Sequence, residues 1–87
     1  MLRLSTASLF RAWARKMGIE FRGVTSSTVS EIGHDSDADE LHVIWQDGKH
    51  SVYSGVSADK FESVSRAWSV GKALNDQVKP THNHRYV

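Results

Sequence analysis

LHVIWQDGKHSVY, residues 41–53, is the stretch that decides the fold. Leu41, Val43 and Trp45 alternate with their neighbours, which is the period of a β-strand with one buried face. The Gln46-Asp-Gly48 segment that follows has the residue types of a tight turn, and a second strand of similar length comes after it. The stretch therefore predicts an antiparallel β-hairpin.

Two registers of this hairpin are open. A two-residue Asp-Gly loop pairs Gln46 with Lys49, whereas a three-residue loop with a left-handed Gly48 pairs Trp45 with Lys49. A slip of one residue moves every side chain to the other face of the sheet. We favour the three-residue loop because it places Tyr53 in the same apolar layer as Trp45. The other face of the hairpin then carries His42, Ile44, His50 and Val52.

The flanking segments predict one more strand and two helices. Residues 25–34 are rich in Thr, Ser, Val and Ile, and the odd spacing of their apolar residues suggests a bulge. Ser57 is the predicted N-cap of a helix over residues 58–68 that buries Phe61, Val64 and Trp68, and a second helix follows and ends at Pro80. Residues 81–87 are expected to be extended or frayed. The predicted fold is α+β, a three-stranded antiparallel sheet with a C-terminal helix pair packed on it.

Residues 1–23 predict a basic amphipathic helix, which we separate from a domain over residues 24–87. This arm has five basic residues against one acidic residue, whereas the whole chain has a net charge of +1. An apolar stripe is formed by Leu9, Phe10, Trp13 and Met17. Three destinations for the stripe stay open: the second face of the sheet, a protein partner or second copy, and an anionic surface. Met17 is also an alternative start of translation.

Composition and motifs limit the function. The chain has 87 residues and no cysteine, which predicts one domain at most and excludes a disulfide scaffold. No stretch is apolar enough to span a membrane. We expect no enzyme, because there is no cysteine nucleophile and no serine in a nucleophile-elbow pattern. We also expect no metal and no cofactor, and we expect His82 and His84 to be solvated rather than ligands.

The chain contains a series of short motifs in a fixed order: Ser26-Ser27, Leu41-x-Val43-x-Trp45-x-x-Gly48, Tyr53-x-Gly55-Val56, Ala67-x-Ser69-x-Gly71 and Asn75. In this series, from residue 26 to residue 86, the chain resembles the KTSC domain, a small module found at the C-terminus of some lysyl-tRNA synthetases and as stand-alone bacterial or phage proteins. The chain departs from the pattern at Ser51, where the family has the first residue of a Tyr-x-Tyr motif. The fusion partner implies a cytoplasmic module that contacts RNA.

The run Ser69-Val-Gly-Lys72 predicts the contact itself, because a capped helix start with a nearby lysine favours phosphate. We therefore expect a weak RNA or nucleic-acid contact. Its predicted residues are Tyr53, Ser69, Gly71, Lys72, Asn75 and Arg85. The alternative is a protein-interaction or self-association module that uses the N-terminal stripe.

Overall fold

The computed structural model describes residues 19–87. The predicted N-terminal helix and its stripe of Leu9, Phe10, Trp13 and Met17 lie outside the described residues. Within the described range, no helix has the length and apolar content needed to cross a bilayer.

Within residues 19–87, five antiparallel strands form one sheet, in the order in which they occur along the chain. The predicted three-stranded sheet is therefore wrong by two strands. The strands are β1 (Phe21–Gly23), β2 (Val29–Asp35), β3 (Glu40–Trp45), β4 (His50–Ser54) and β5 (His84–Tyr86).

The hairpin of β3 and β4 has the register with the three-residue loop, as we favoured. Ile44 lies opposite His50, and the Trp45 N–H donates to the Lys49 carbonyl at 2.9 Å. Gly48 has a φ of +88°, a conformation that glycine adopts without the steric cost of a side chain. Leu41, Val43, Trp45 and Tyr53 consequently share one face of the sheet.

β2 begins later than predicted, at Val29, because a local turn is formed by the residues before it. The Ser26 hydroxyl accepts hydrogen bonds from the N–H groups of Thr28 (3.2 Å) and Val29 (3.1 Å). Such hydroxyl–backbone bonds compete with strand pairing. The predicted irregularity of this strand is confirmed by a register shift between Val29 and Glu31.

The two strands missed by the sequence are the edge strands. β1 pairs with β2, with Phe21 opposite Gly33, and β5 pairs with β4, with Tyr86 opposite Ser51. Of the two alternatives for residues 81–87, extended or frayed, the second half of the segment is extended: β5 lies there, and the Val87 N–H also donates to the His50 carbonyl at 3.0 Å. Each edge strand has three residues, too few to show a period of two.

The first helix, α1 (Ala58–Ser65), begins at the predicted cap and ends earlier than predicted. The Ser57 hydroxyl accepts from the Lys60 N–H at 3.1 Å. At the other end, the Ala67 N–H bonds to the Val64 carbonyl at 3.2 Å, so the backbone tightens and leaves the helix. The prediction that Trp68 is buried is wrong, because its side chain is fully exposed and Ala67 packs against the core instead.

The second helical segment packs beside α1 and has two parts. Its first part, α2 (Val70–Ala73), is capped by Ser69, whose hydroxyl accepts from the Lys72 N–H at 3.3 Å. A π-helical turn (Leu74–Val78) continues it, and the Lys79 N–H closes that turn on the Leu74 carbonyl at 2.9 Å.

The core lies between the helices and one face of the sheet. Ile32, Leu41, Val43, Val64 and Leu74 are each wholly buried in it. The opposite face carries a second buried set, in which no side chain is more than 4% exposed: Ile19, His42, Ile44, His50 and Val52. Among the described residues, α1 and the second helical segment cover the first face, and two adjoining grooves lie beside the second helical segment.

Candidate functional site

Two adjoining grooves lie between the hairpin turn, the turn at residues 26–28 and the second helical segment. The first, the lysine groove, has a volume of about 460 Å³. It is lined by Thr28, Trp45, Gln46, Asp47, Lys49, Gly71, Asn75, Lys79 and Tyr86. Grooves of this size are typical of sites for small organic groups.

The second, the hydroxyl groove, has a volume of about 580 Å³. It is lined by Thr25, Ser26, Ser27, Thr28, Trp68, Ser69, Gly71, Lys72, Asn75 and Asp76. The two grooves share Thr28, Gly71 and Asn75, so they meet along a common wall.

Trp45 forms a fixed aromatic wall of the lysine groove. Its indole N–H donates to the Ser51 hydroxyl at 2.7 Å, and its ring is only partly exposed. The Lys79 ammonium lies 5.1 Å from the centre of this ring, within the range of a cation–π interaction. The contact holds a positive charge inside the groove.

An aromatic cluster continues from Ser51 toward the sheet edge. The Ser51 hydroxyl is also hydrogen-bonded to His84 Nε2 at 2.8 Å. The His84 ring lies 4.9 Å from the Tyr53 ring and 4.5 Å, edge to face, from the Tyr86 ring. Tyr86 stays 66% exposed, so a large part of its ring is open to solvent beside the lysine groove.

Gly71 is where the second helical segment passes closest to the turn at residues 26–28. A Cβ atom at this position would lie 2.8 Å from the Thr28 hydroxyl oxygen. The glycine is thus needed for close packing of the protein on itself, and the space that we expected an anion to enter is occupied by Thr28. The helix start at Ser69 accordingly serves to position the wall between the two grooves.

Positive charge in the two grooves slightly exceeds negative charge. Lys49, Lys72 and Lys79 line them, against Asp47 and Asp76. The Asp47 carboxylate accepts a hydrogen bond from the Lys49 N–H at 3.0 Å, which ties it to the hairpin turn. The Asn75 side chain makes no hydrogen bond within residues 19–87 and is exposed on the shared wall.

The structure brings together four of the six residues that we predicted to form the contact: Ser69, Gly71, Lys72 and Asn75. Tyr53 is only 3% exposed, and burial, with a smaller effect of Tyr86, raises the pKa of its hydroxyl. The Tyr53 ring packs against the His84 ring. Arg85 lies opposite Val52, on the other face of the sheet, and pairs with Glu40 at 2.7 Å, which raises the pKa of Arg85.

The predicted contact set left out most of the residues that line the grooves, among them Trp45, Lys49, Trp68, Asp76, Lys79 and Tyr86. Lys79 follows Asn75 by four residues, a spacing that puts two residues on one face of a helical segment and could have indicated it. The position of Tyr86 depends on β5, whose pairing left no signal in the sequence.

One cluster has the residue types of a metal site. Oxygen or nitrogen atoms of Asp35, Glu40 and His42 lie within 4.8 Å of one another. However, Glu40 is engaged by Arg85, and Asp35 Oδ1 accepts from the N–H groups of residues 37 and 38 at 3.1 and 3.3 Å. These bonds give both carboxylates a structural role.

A buried histidine pair lies on the face of the sheet away from the grooves. His42 Nδ1 and His50 Nε2 are 3.1 Å apart, and both side chains are at most 4% exposed. Burial, together with the neighbouring His42, lowers the pKa of His50 to about 4. Burial also lowers the pKa of His42, although Glu40 and Asp35 oppose the effect. The pair is therefore neutral at physiological pH.

Comparison with known proteins identifies one family. A model of the KTSC domain matches residues 25–82. The crystal structure of a KTSC domain protein from Yersinia pestis is similar to this chain with a TM-score of 0.75 and 23% sequence identity. The similarity covers 79% of this chain and 97% of that one, and at this identity it shows a shared fold. No curated protein matches the chain.

Proposed function

The chain belongs to the KTSC domain family, and from this premise we propose that it is a non-catalytic module that binds single-stranded RNA weakly in the lysine groove. The observation that carries the proposal is the Lys79 ammonium held over the Trp45 ring, next to the exposed ring of Tyr86. A cation beside an open aromatic ring is the combination with which proteins hold the phosphate and base of an unpaired nucleotide.

Each part of the groove has a role in this binding. The phosphate contacts Lys79 and Lys49, whose charges face the same groove. The base stacks on Tyr86, which is largely exposed and meets the His84 ring in a T-shaped contact. Asn75 offers an amide on the groove wall for hydrogen bonds to the edge of the base.

The arrangement favours single strands over duplexes. Bases in a duplex are stacked on each other and cannot stack on a protein ring, whereas unpaired bases can. The small excess of positive charge around the grooves favours weak rather than tight binding, because the phosphate backbone supplies most nucleic-acid affinity. The proposal places the module in the cytoplasm, where single-stranded RNA is available.

A fluorescence anisotropy titration with a labelled uridine decamer tests the proposal, with Lys79→Gln as the variant. The two lysines of the lysine groove predict a slope of about −1.4 for the logarithm of the binding constant against that of the salt concentration. Lys79→Gln should weaken binding several-fold and reduce the steepness of the slope by about 0.7. Lys60→Gln removes the same charge from α1, which lines neither groove, and is the matched control.

Equal affinities and slopes for the wild type and Lys79→Gln would refute the assignment of the lysine groove. A loss of equal size in Lys60→Gln would show that only the overall charge matters, and it would refute the assignment as well.

A further inference from the structure

Trp68 is exposed because α1 ends at Ser65, before the helical period reaches this position. It is a large apolar side chain with a relative exposure of 102%, and it lies in the turn between α1 and α2 rather than in the core. An exposed indole ring at the edge of a groove offers a free face on which a nucleic-acid base can stack.

The hydroxyl groove beside Trp68 has an unusual lining. Four of its residues are the hydroxyl side chains at positions 25–28, and a fifth is Ser69. Lys72 supplies the positive charge, while the exposed Asp76 carboxylate supplies a strong hydrogen-bond acceptor. Neutral hydroxyls with one carboxylate are suited to a sugar rather than to a phosphate.

We propose that the hydroxyl groove is a second nucleotide subsite, in which Trp68 stacks on a base and Asp76 accepts a hydrogen bond from the ribose 2′-hydroxyl. This inference rests on the proposed function, because it extends the same strand from the lysine groove across the shared wall at Asn75. It adds a ligand specificity that the first groove does not supply, a preference for RNA over DNA.

The continuity of the two grooves favours a nucleotide chain over a protein partner as the occupant. An RNA strand that runs from Lys79 across the shared wall reaches Lys72, so a lysine lies on each side of that wall. A protein side chain would need an apolar wall opposite Trp68, whereas the described residues that line this groove with Trp68 are almost all polar.

Anisotropy titrations with a uridine decamer and a deoxyuridine decamer test the inference, because the two probes differ only in the 2′-hydroxyl. We expect the wild type to bind the ribose probe several-fold more tightly. Trp68→Ala should weaken binding of both probes by about fivefold or more, and Trp68→Phe should retain most of the affinity. Since Trp68 makes no buried contact, circular dichroism melting should show Trp68→Ala folded as the wild type.

The ratio of the affinities for the ribose and deoxyribose probes tests the role of Asp76 separately from that of Trp68. Asp76→Ala removes a negative charge and so should raise the affinity for the deoxyribose probe, but for the ribose probe the lost hydrogen bond offsets that gain, so the ratio of the two affinities should fall close to one. Asp37→Ala is the charge-matched control, because Asp37 lies in the exposed turn between β2 and β3, and it should leave the ratio unchanged.

The outcomes separate this inference from the proposed function. If Trp68→Ala binds as the wild type while Lys79→Gln is weakened, the second subsite is refuted and the lysine groove stands. If neither variant differs from the wild type, both are refuted. A wild-type ratio near one, or a ratio that Asp76→Ala does not change, refutes ribose recognition. Loss of self-association in Trp68→Ala with unchanged RNA binding assigns Trp68 to a protein contact and refutes the subsite.

Discussion

The substitution Gly71→Ala tests how the wall between the two grooves is built. The added methyl group would lie 2.8 Å from the Thr28 hydroxyl oxygen, well inside the separation of about 3.5 Å or more at which nonbonded heavy atoms attract. Either the Thr28 side chain must then rotate away or one of the two segments must move. Forcing a methyl group into a packed site costs about 1–3 kcal/mol.

A second effect of the same substitution has the opposite sign. Alanine is more favourable than glycine in a helix by up to about 1 kcal/mol, and Gly71 lies within α2. We therefore expect Gly71→Ala to lower the free energy of unfolding by about 1 kcal/mol in the wild-type background. In a Thr28→Ala background, where the hydroxyl is gone, the same substitution should raise the stability by about 0.5–1 kcal/mol.

Urea denaturation followed by circular dichroism measures both values, and Thr28→Ser is the matched control. Serine keeps the hydroxyl oxygen, so Gly71→Ala should still destabilise the protein in that background. The difference between the alanine and serine backgrounds should be about 2 kcal/mol, which is a coupling between residues in contact. If Gly71→Ala has the same effect in all three backgrounds, Thr28 does not explain why this position is glycine.

Three further predictions concern stability and the other face of the sheet. His50 has a folded-state pKa of about 4, below the value near 6.5 of an unfolded histidine. Between these two pH values the unfolded chain therefore binds more protons than the folded protein. The free energy of unfolding should fall by up to about 3 kcal/mol as the pH drops from 6.5 to 4. Thermal melts of the wild type and His50→Gln from pH 7.5 to pH 4 check this, and an equally steep loss in the variant would contradict it. Ser69→Ala removes the cap of α2 and should cost about 1 kcal/mol in urea denaturation, so an unchanged midpoint would show that the cap is not formed. Arg85→Gln breaks the pair with the half-buried Glu40, but anisotropy should show RNA affinity within about twofold of the wild type, because Arg85 lies on the face away from both grooves.

The sequence was informative wherever the determinants of structure are local. The hairpin register followed from the turn residues and from the alternation of apolar residues, because only one register gathers Trp45 and Tyr53 into one layer. The caps at Ser57 and Ser69 were predicted for the same reason, since each depends on a hydrogen bond three residues away.

Structure decided by distant partners could not be predicted in this way. β1 and β5 are strands because β2 and β4 supply their hydrogen bonds, and neither has a pattern of its own. Trp68 fits the helical period of Phe61 and Val64, but the helix ends at Ser65 before it reaches that position. As a result, only some of the residues that line the two grooves were predicted.

The candidate site combines both kinds of residue. Ser69, Lys72 and Asn75 are close in the chain and were predicted together. Lys79 meets Trp45 only because the π-helical turn packs beside the hairpin, and Tyr86 reaches the same groove only through β5.

Backbone and indole N–H spectra recorded by NMR during titration of the full chain with the uridine decamer test the central claim most directly. We expect the largest shift changes at the indole N–H groups of Trp45 and Trp68 and at the backbone amides of Lys79 and Tyr86, with little change near His42. Changes confined to the face that carries His42, or to residues 1–18, would contradict binding in the grooves.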